Sequence, residues 1–207
     1  MDEAQAIRAY QRGDAAAFSV LFELHAVHVY RTAYLITHDP GRAEDVAQET
    51  FLILAQRLPG LEVGPLRSWL GRVAANLSLN ETRRAWELPL ETLPPDRRDA
   101  LEEHYALPGP DLQVAAQEEH RRLRAAVAAL APRQRAMIVL RYYGDCSTKE
   151  IGVALGCQAG TVRATLHQAL GRLRAAGVAE RDGGDVVHSR RVLGDAVADP
   201  GEDQHGA

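Results

Sequence analysis

The sequence predicts an all-α protein made of two helical domains joined by an acidic, proline-rich linker. Three observations point to this. Apolar side chains recur at three- and four-residue spacing through most of the 207 residues, the period of helices with one buried face, and no pair of alternating strand-like runs appears. Alanine is abundant and aromatic residues make up 5% of the chain, which favours helices packed through small side chains over aromatic-rich sandwiches. Five prolines (Pro89, Pro94, Pro95, Pro108 and Pro110) fall within residues 87–117, where the helical period is lost.

The elements follow in order. Asp14 is placed to cap a helix with an apolar stripe of Phe18, Leu21, Phe22, Val29 and Leu35. Asp39-Pro40 reads as a cap followed by proline at the first helical position, opening a helix through Phe51, Leu52 and Leu54 that Leu58-Pro59-Gly60 stops. Pro65 opens the fourth helix, carrying Trp69, Leu70, Val73, Leu77 and Trp86. Four helices in about 80 residues make one domain, residues 1–86. After the linker, helical pattern resumes near Glu118 with Leu123, Val127 and Leu130, and Pro132 opens another helix with Met137, Leu140 and Tyr143. This gives a second domain, residues 118–176. Residues 177–207 are acidic, weakly apolar and glycine-containing, the composition of a disordered tail.

Composition narrows the class. With 46% hydrophobic and 25% charged residues the chain can build a core. No apolar run approaches the roughly 18–20 residues of a membrane span, and the N-terminus lacks a signal-peptide core. Cys146 and Cys157 form no CxxC pair and suit a reducing compartment. The expected location is the cytoplasm. The net charge of −4 conceals a pattern: the balance is −1 over residues 1–86, −5 over 87–117, +6 over 118–176 and −4 over 177–207. A basic block between acidic ones fits a nucleic-acid module between acidic segments, and equally a solvated helix surface.

Residues 147–174 decide between these. Ser147 and Glu150 form an S-x-x-E capping box; Ile151, Ala154 and Leu155 are the buried face of the helix it opens, and Gly156 supplies a left-handed turn. A second helix follows from about Gln158, with Val162, Leu166, Leu170 and Leu173 inward. Two short helices joined by a glycine turn make a helix-turn-helix. The outer face of the second helix carries Thr161, Arg163, Thr165, Gln168 and Arg172, with His167 near its edge; these groups suit base edges and phosphates in a major groove.

The stretch from Leu130 to Arg174 resembles region 4 of the extracytoplasmic-function (group 4) sigma factors of bacterial RNA polymerase. Ala43–Leu58 and Leu66–Arg84 resemble region 2 of the same family. The resemblance implies a partner, core RNA polymerase, met through the β′ clamp helices by region 2 and the β flap by region 4. It also implies promoter DNA as ligand and brings in an anti-sigma factor as a candidate partner. Asp45, Gln48, Glu49 and Leu52, at i, i+3, i+4 and i+7, share one helix face and match the family's clamp-docking motif. Trp69, Asn76, Asn80, Arg83 and Arg84 match positions that handle the −10 element, where the family opens the duplex and captures an unstacked base near the preceding loop, here about residues 59–67. Trp69 also falls on the apolar stripe with Val73, so a core role stands beside the stacking role. Thr161, Arg163, Thr165, His167, Gln168 and Arg172 fall on the family's −35 helix. Two departures stand out. Asn80 replaces a usual Asp, and the recognition helix is less basic than its relatives', which implies weaker phosphate attraction. In the family the segment joining the domains threads through polymerase, and seven carboxylates in residues 87–117 make it a candidate mimic of the transcript.

Rival classes leave weaker marks. His25 and His28 lie three apart beside Glu23, Glu44 and Glu49 in the same predicted domain, but the paired E-x-x-H motifs of a di-metal bundle are missing. Both histidines are expected on a helix surface or facing a partner. No phosphate loop, zincin motif or nucleophile elbow occurs, so neither catalysis, nor a metal, nor a cofactor is expected. A free-standing helix-turn-helix regulator, or a sigma-like interaction protein, would have no use for the acidic face at Asp45–Glu49.

Overall fold

A computed structural model describes residues 1–61, 65–87 and 114–177, with the side chains of 84–87 and 114–120 outside the description. Most of the expected linker and the tail beyond Gly177 lie outside the described residues. The chain divides into two compact units, Met1–Leu90 and Glu91–Ala207.

The first unit contains α1 (Glu3–Gln11), α2 (Ala17–Thr37), α3 (Pro40–Arg57), a single 3-10 turn (Leu58–Gly60) and α4 (Leu66–Glu87). Helix α2 is central and packs on each of the other three. Leu21, Val29, Ala33 and Ile36 on α2 meet Ala43, Val46 and Leu54 of α3 and Leu66, Leu70 and Ala74 of α4 in the buried core. Hydroxyls on the core faces are satisfied within their own helices: Thr32, Thr50, Ser78 and Thr82 each donate to the carbonyl four residues earlier, at 2.7–3.0 Å. A buried hydroxyl without such a partner would cost about 1–3 kcal/mol. Asp39 caps α3 as expected, its side chain accepting the Arg42 N–H at 2.9 Å.

Two expectations need correction here. The cap of α2 is Ala16, with no side-chain bond; Asp14 lies two residues too early and accepts the Ala16 N–H at 3.1 Å. Gly13, at φ +97°, makes the turn before it. Phe22 does not join the buried stripe. It is 43% exposed, its ring lying 4.7 Å from that of Phe51, because three helices already occupy the inner arc of α2.

The second unit contains α5 (Val114–Ala128), α6 (Pro132–Tyr142), α7 (Thr148–Ala154) and α8 (Ala159–Ala175). Residues 114–117, expected in the linker, are helical. Leu123, Val127, Met137, Ile138, Leu140, Ile151, Val162, Leu166 and Leu173 are buried. Arg135 is buried with them. Its guanidinium donates to the carbonyls of Val127, Ala128 and Leu130 at 3.3, 2.7 and 3.0 Å, closing the orphan C-terminal acceptors of α5. Burial lowers its pKa from the ordinary arginine value.

Candidate polymerase and promoter surfaces

On α3, Asp39 and Pro40 set the helix start, and Ala43, Val46, Ala47, Thr50 and Leu54 turn inward. The helical period therefore leaves Asp45, Gln48 and Glu49 exposed. Leu52 extends this face and is 64% exposed, an apolar side chain with nothing of its own domain to cover it. Gln48 reaches Glu44 only at 3.5 Å. All four predicted residues thus share an open surface of two carboxylates, an amide and one exposed leucine. Such a surface can hold the guanidinium or ammonium groups of a partner helix while burying an apolar centre.

A groove of about 690 Å³ lies between the C-terminal half of α3 and the first half of α4. Gln56 and Arg57 line one side, Gly60 and Leu61 the end, and Trp69, Val73 and Asn76 the other side. Trp69 is half-buried, so its ring is neither a closed core anchor nor fully open. An indole and two carboxamides, those of Gln56 and Asn76, lining a cavity this size suit a planar ring with polar edges. Asn80 and Arg83 are exposed further along α4; they do not line the groove. Arg84's side chain lies outside the described residues.

In the second unit, Ser147 accepts the Glu150 N–H at 3.2 Å and Glu150 accepts the Ser147 N–H at 2.8 Å, the reciprocal capping box the sequence announces. Gly156 is left-handed, φ +61°. Helix α8 turns Val162, Leu166, Ala169 and Leu173 inward and leaves Thr161, Arg163, His167, Gln168 and Arg172 exposed, with Thr165 half-buried. Arg172 is not purely an outward group, since it donates to Gln134 of α6 at 2.9 Å. The basic charge of this unit also has internal duties: Arg133 and Arg141 donate to the carbonyls of Leu155 and Cys146, as Arg135 does to α5. The Arg163 side chain makes no hydrogen bond or ion pair among the described residues.

Known proteins match this arrangement unit by unit. Residues 21–87 match the family model for sigma-70 region 2, and residues 120–173 that for sigma-70 region 4. The ECF RNA polymerase sigma factor SigL of Mycobacterium tuberculosis is 34% identical over 163 residues, which cover 78% of this chain and 89% of the relative. This chain belongs to the extracytoplasmic-function sigma factors. The ECF RNA polymerase sigma factor SigE of Mycolicibacterium smegmatis is 35% identical over 165 residues; the match covers 78% of this chain and 63% of that longer relative. Among solved structures, the sigma factor RpoE of Bartonella quintana, crystallised with the anti-sigma factor NepR, has the same fold, with a TM-score of 0.56 at 20% identity over 79% of this chain and 98% of the other.

The two histidines of α2 are not surface groups. His25 and His28 are both buried, and His25 Nε2 pairs with Glu3 Oε2 at 2.7 Å across α1 and α2. Burial is the main cause holding the His28 pKa down at about 3, with the nearby Arg67 and His25 adding to it. Burial also lowers that of His25, against the opposing pull of Glu3. Their placement has a plain cause: α2 is enclosed by three helices, so positions that a two-helix contact would leave outside are covered. Among the described residues, no group of three or more His, Cys, Asp or Glu side chains could hold a metal ion, and no helix is long and apolar enough to cross a membrane.

Proposed function

We propose that this sigma factor docks on core RNA polymerase through Asp45, Gln48, Glu49 and Leu52, reads the promoter −10 element with α4 and the −35 element with α8, and helps open DNA for transcription initiation. The groove beside Trp69 and Asn76 carries the proposal, because it offers a flipped base a stacking surface and a hydrogen-bonding edge next to an exposed polar helix. Asn80 and Arg83, with Arg84, then follow the backbone of the opened strand. Arg163, Gln168, Thr161, Thr165 and His167 face the −35 major groove, and Arg172 a flanking phosphate.

The protein acts by binding and positioning, with the chemistry left to polymerase, and works in the cytoplasm where polymerase is. An anti-sigma factor is a fitting second partner, since the crystallised Bartonella relative holds one. Reconstitution with core polymerase, followed by selection of bound sequences from a random duplex library, tests the function directly. Enrichment of two separated elements that depends on core supports it. Enrichment of one element without core identifies a free-standing regulator instead.

A further inference from the structure

The geometry points to Gln11, the last residue of α1, as a positioning residue for base capture: it holds the Gly60–Leu61 wall of the groove in place. This inference rests on the promoter reading of that groove. The Gln11 side-chain amide donates to the carbonyl of Leu58 at 3.0 Å and to that of Leu61 at 3.0 Å. A carboxamide has two N–H bonds, and here one amide group serves both ends of the 3-10 turn. Leu58 is itself anchored, buried in the core with its N–H on the Leu54 carbonyl, but among the described residues the Gly60–Leu61 end has less to fix it. The turn's internal bond, from the Leu61 N–H to the Leu58 carbonyl, is 3.2 Å long, and a lone 3-10 turn has poor hydrogen-bond geometry. Leu61 leaves it in an extended conformation, φ −78° and ψ 123°, so its carbonyl belongs to no helix.

Gly60 and Leu61 are also the end wall of the groove that Trp69 and Asn76 line. Gly60 contributes no side chain, and a Cβ added there would touch nothing within 4 Å, so side-chain packing does not locate this point of the wall. The Gln11 amide does, from behind and without touching the occupant. Helix α1 itself does not depend on that contact: Ala6 and Ile7 are buried, the Asp2 capping box closes its start, and Tyr10 packs its ring 5.6 Å from that of Phe18. Loss of the amide therefore frees the wall and leaves the helix docked.

The test uses the full chain assembled with core polymerase and a pool of single-stranded DNA with a randomised window. Gln11→Met keeps length and helix propensity but has no donors. Gln11→Glu places a carboxylate against two carbonyls. Gln11→Arg restores a fork of N–H donors at a helix C-terminus that favours cations. Expected are normal assembly for all three, a loss of about fivefold in selectivity at the captured base for Met and Glu, the scale of one net hydrogen bond, and recovery for Arg. Faster amide exchange at Gly60 and Leu61 in free Gln11→Met, with an unchanged thermal midpoint, is the matching structural readout. Wild-type selectivity in Gln11→Met and Gln11→Glu overturns the positioning role alone. A wild-type holoenzyme that selects no base from the pool overturns the promoter reading of the groove, while the exchange result still reports whether Gln11 holds the wall.

Discussion

Gly152 meets Cys157 so closely that a Cβ at residue 152 would stand 2.6 Å from the Cys157 carbonyl oxygen. Gly152 lies within α7 and Cys157 in the turn that leads to α8, and the Cys157 N–H returns a bond to the Gly152 carbonyl at 2.8 Å. The helix-turn-helix angle thus depends on a missing side chain, since backbone on the opposing side cannot rotate away as a flexible side chain would.

Gly152→Ala should therefore spread the turn. Overpacking against a fixed neighbour typically costs about 1–3 kcal/mol, more than the helix propensity that alanine returns. The expected result is a lowered midpoint for unfolding of the second unit, an unchanged one for the first, and weakened −35 duplex binding. Because the two units need not unfold together, the measurement is domain-resolved hydrogen exchange or calorimetry. An unaltered second transition would show that the turn yields.

Acid should destabilise the first unit through His28. Its folded pKa of about 3 lies below the ordinary 6.5, so the folded state resists a proton that the unfolded chain accepts. Stability is then full above about pH 6.5 and falls as pH drops toward 3, by at most about 1.4 kcal/mol per pH unit for this one site. His25 adds in the same direction, its pKa being lowered too. Urea unfolding at pH 7 and pH 5 should differ in wild type by roughly 2 kcal/mol from this site, and by clearly less in His28→Gln. Equal pH slopes in the two proteins would remove His28 as the cause.

What the sequence made legible was local. The Ser147–Glu150 capping box, Gly156, the Asp39-Pro40 start and the inward and outward positions of α8 are each set by neighbours within a turn or two, and a single sequence records such neighbours. What it hid was set by packing between distant segments. Nothing near His28 reveals that α1, α3 and α4 all close on α2, and nothing near Arg135 reveals three carbonyls at the end of the preceding helix. Gln11 likewise reaches Leu58 and Leu61 across the fold. Phe22 was misplaced for the opposite reason, since helical spacing puts it on the stripe but not under it. The acidic face of α3 was legible as a face. The groove beside Trp69 was not, because it exists only where α3, the 3-10 turn and α4 meet.

Glu49→Lys should weaken assembly with core polymerase. Glu49 is exposed and lies on the same face as Asp45 and Leu52, so the fold should tolerate lysine and helicity should be unchanged. Reversing a charge in a contact that becomes desolvated commonly costs about 2–5 kcal/mol. Leu52→Ala probes the apolar centre of the same face without altering charge and should also reduce assembly. Competition pull-downs against wild type measure both, and wild-type assembly in both variants would move the docking surface elsewhere.

Arg163 and Arg172 should separate sequence reading from general affinity. Arg163 is exposed in the first half of α8 without an internal partner among the described residues, free to extend toward a base edge. Arg172 is three turns from the helix start and braced by Gln134, which fixes its guanidinium near the flank. A bidentate arginine–guanine contact is worth about 1–3 kcal/mol of discrimination, so Arg163→Ala should change the base preferred at one −35 position in a promoter selection. Arg172→Ala should leave preference intact, weaken binding to all promoters alike, and reduce the dependence of log affinity on log salt by about one unit. Gln134→Ala releases the brace but keeps the charge, so it should preserve the salt dependence and cost only a small uniform loss. If Arg163→Ala selects the wild-type sequence while Arg172→Ala shifts it, base reading comes from the far end of α8 and the docking of this helix is reversed along the groove.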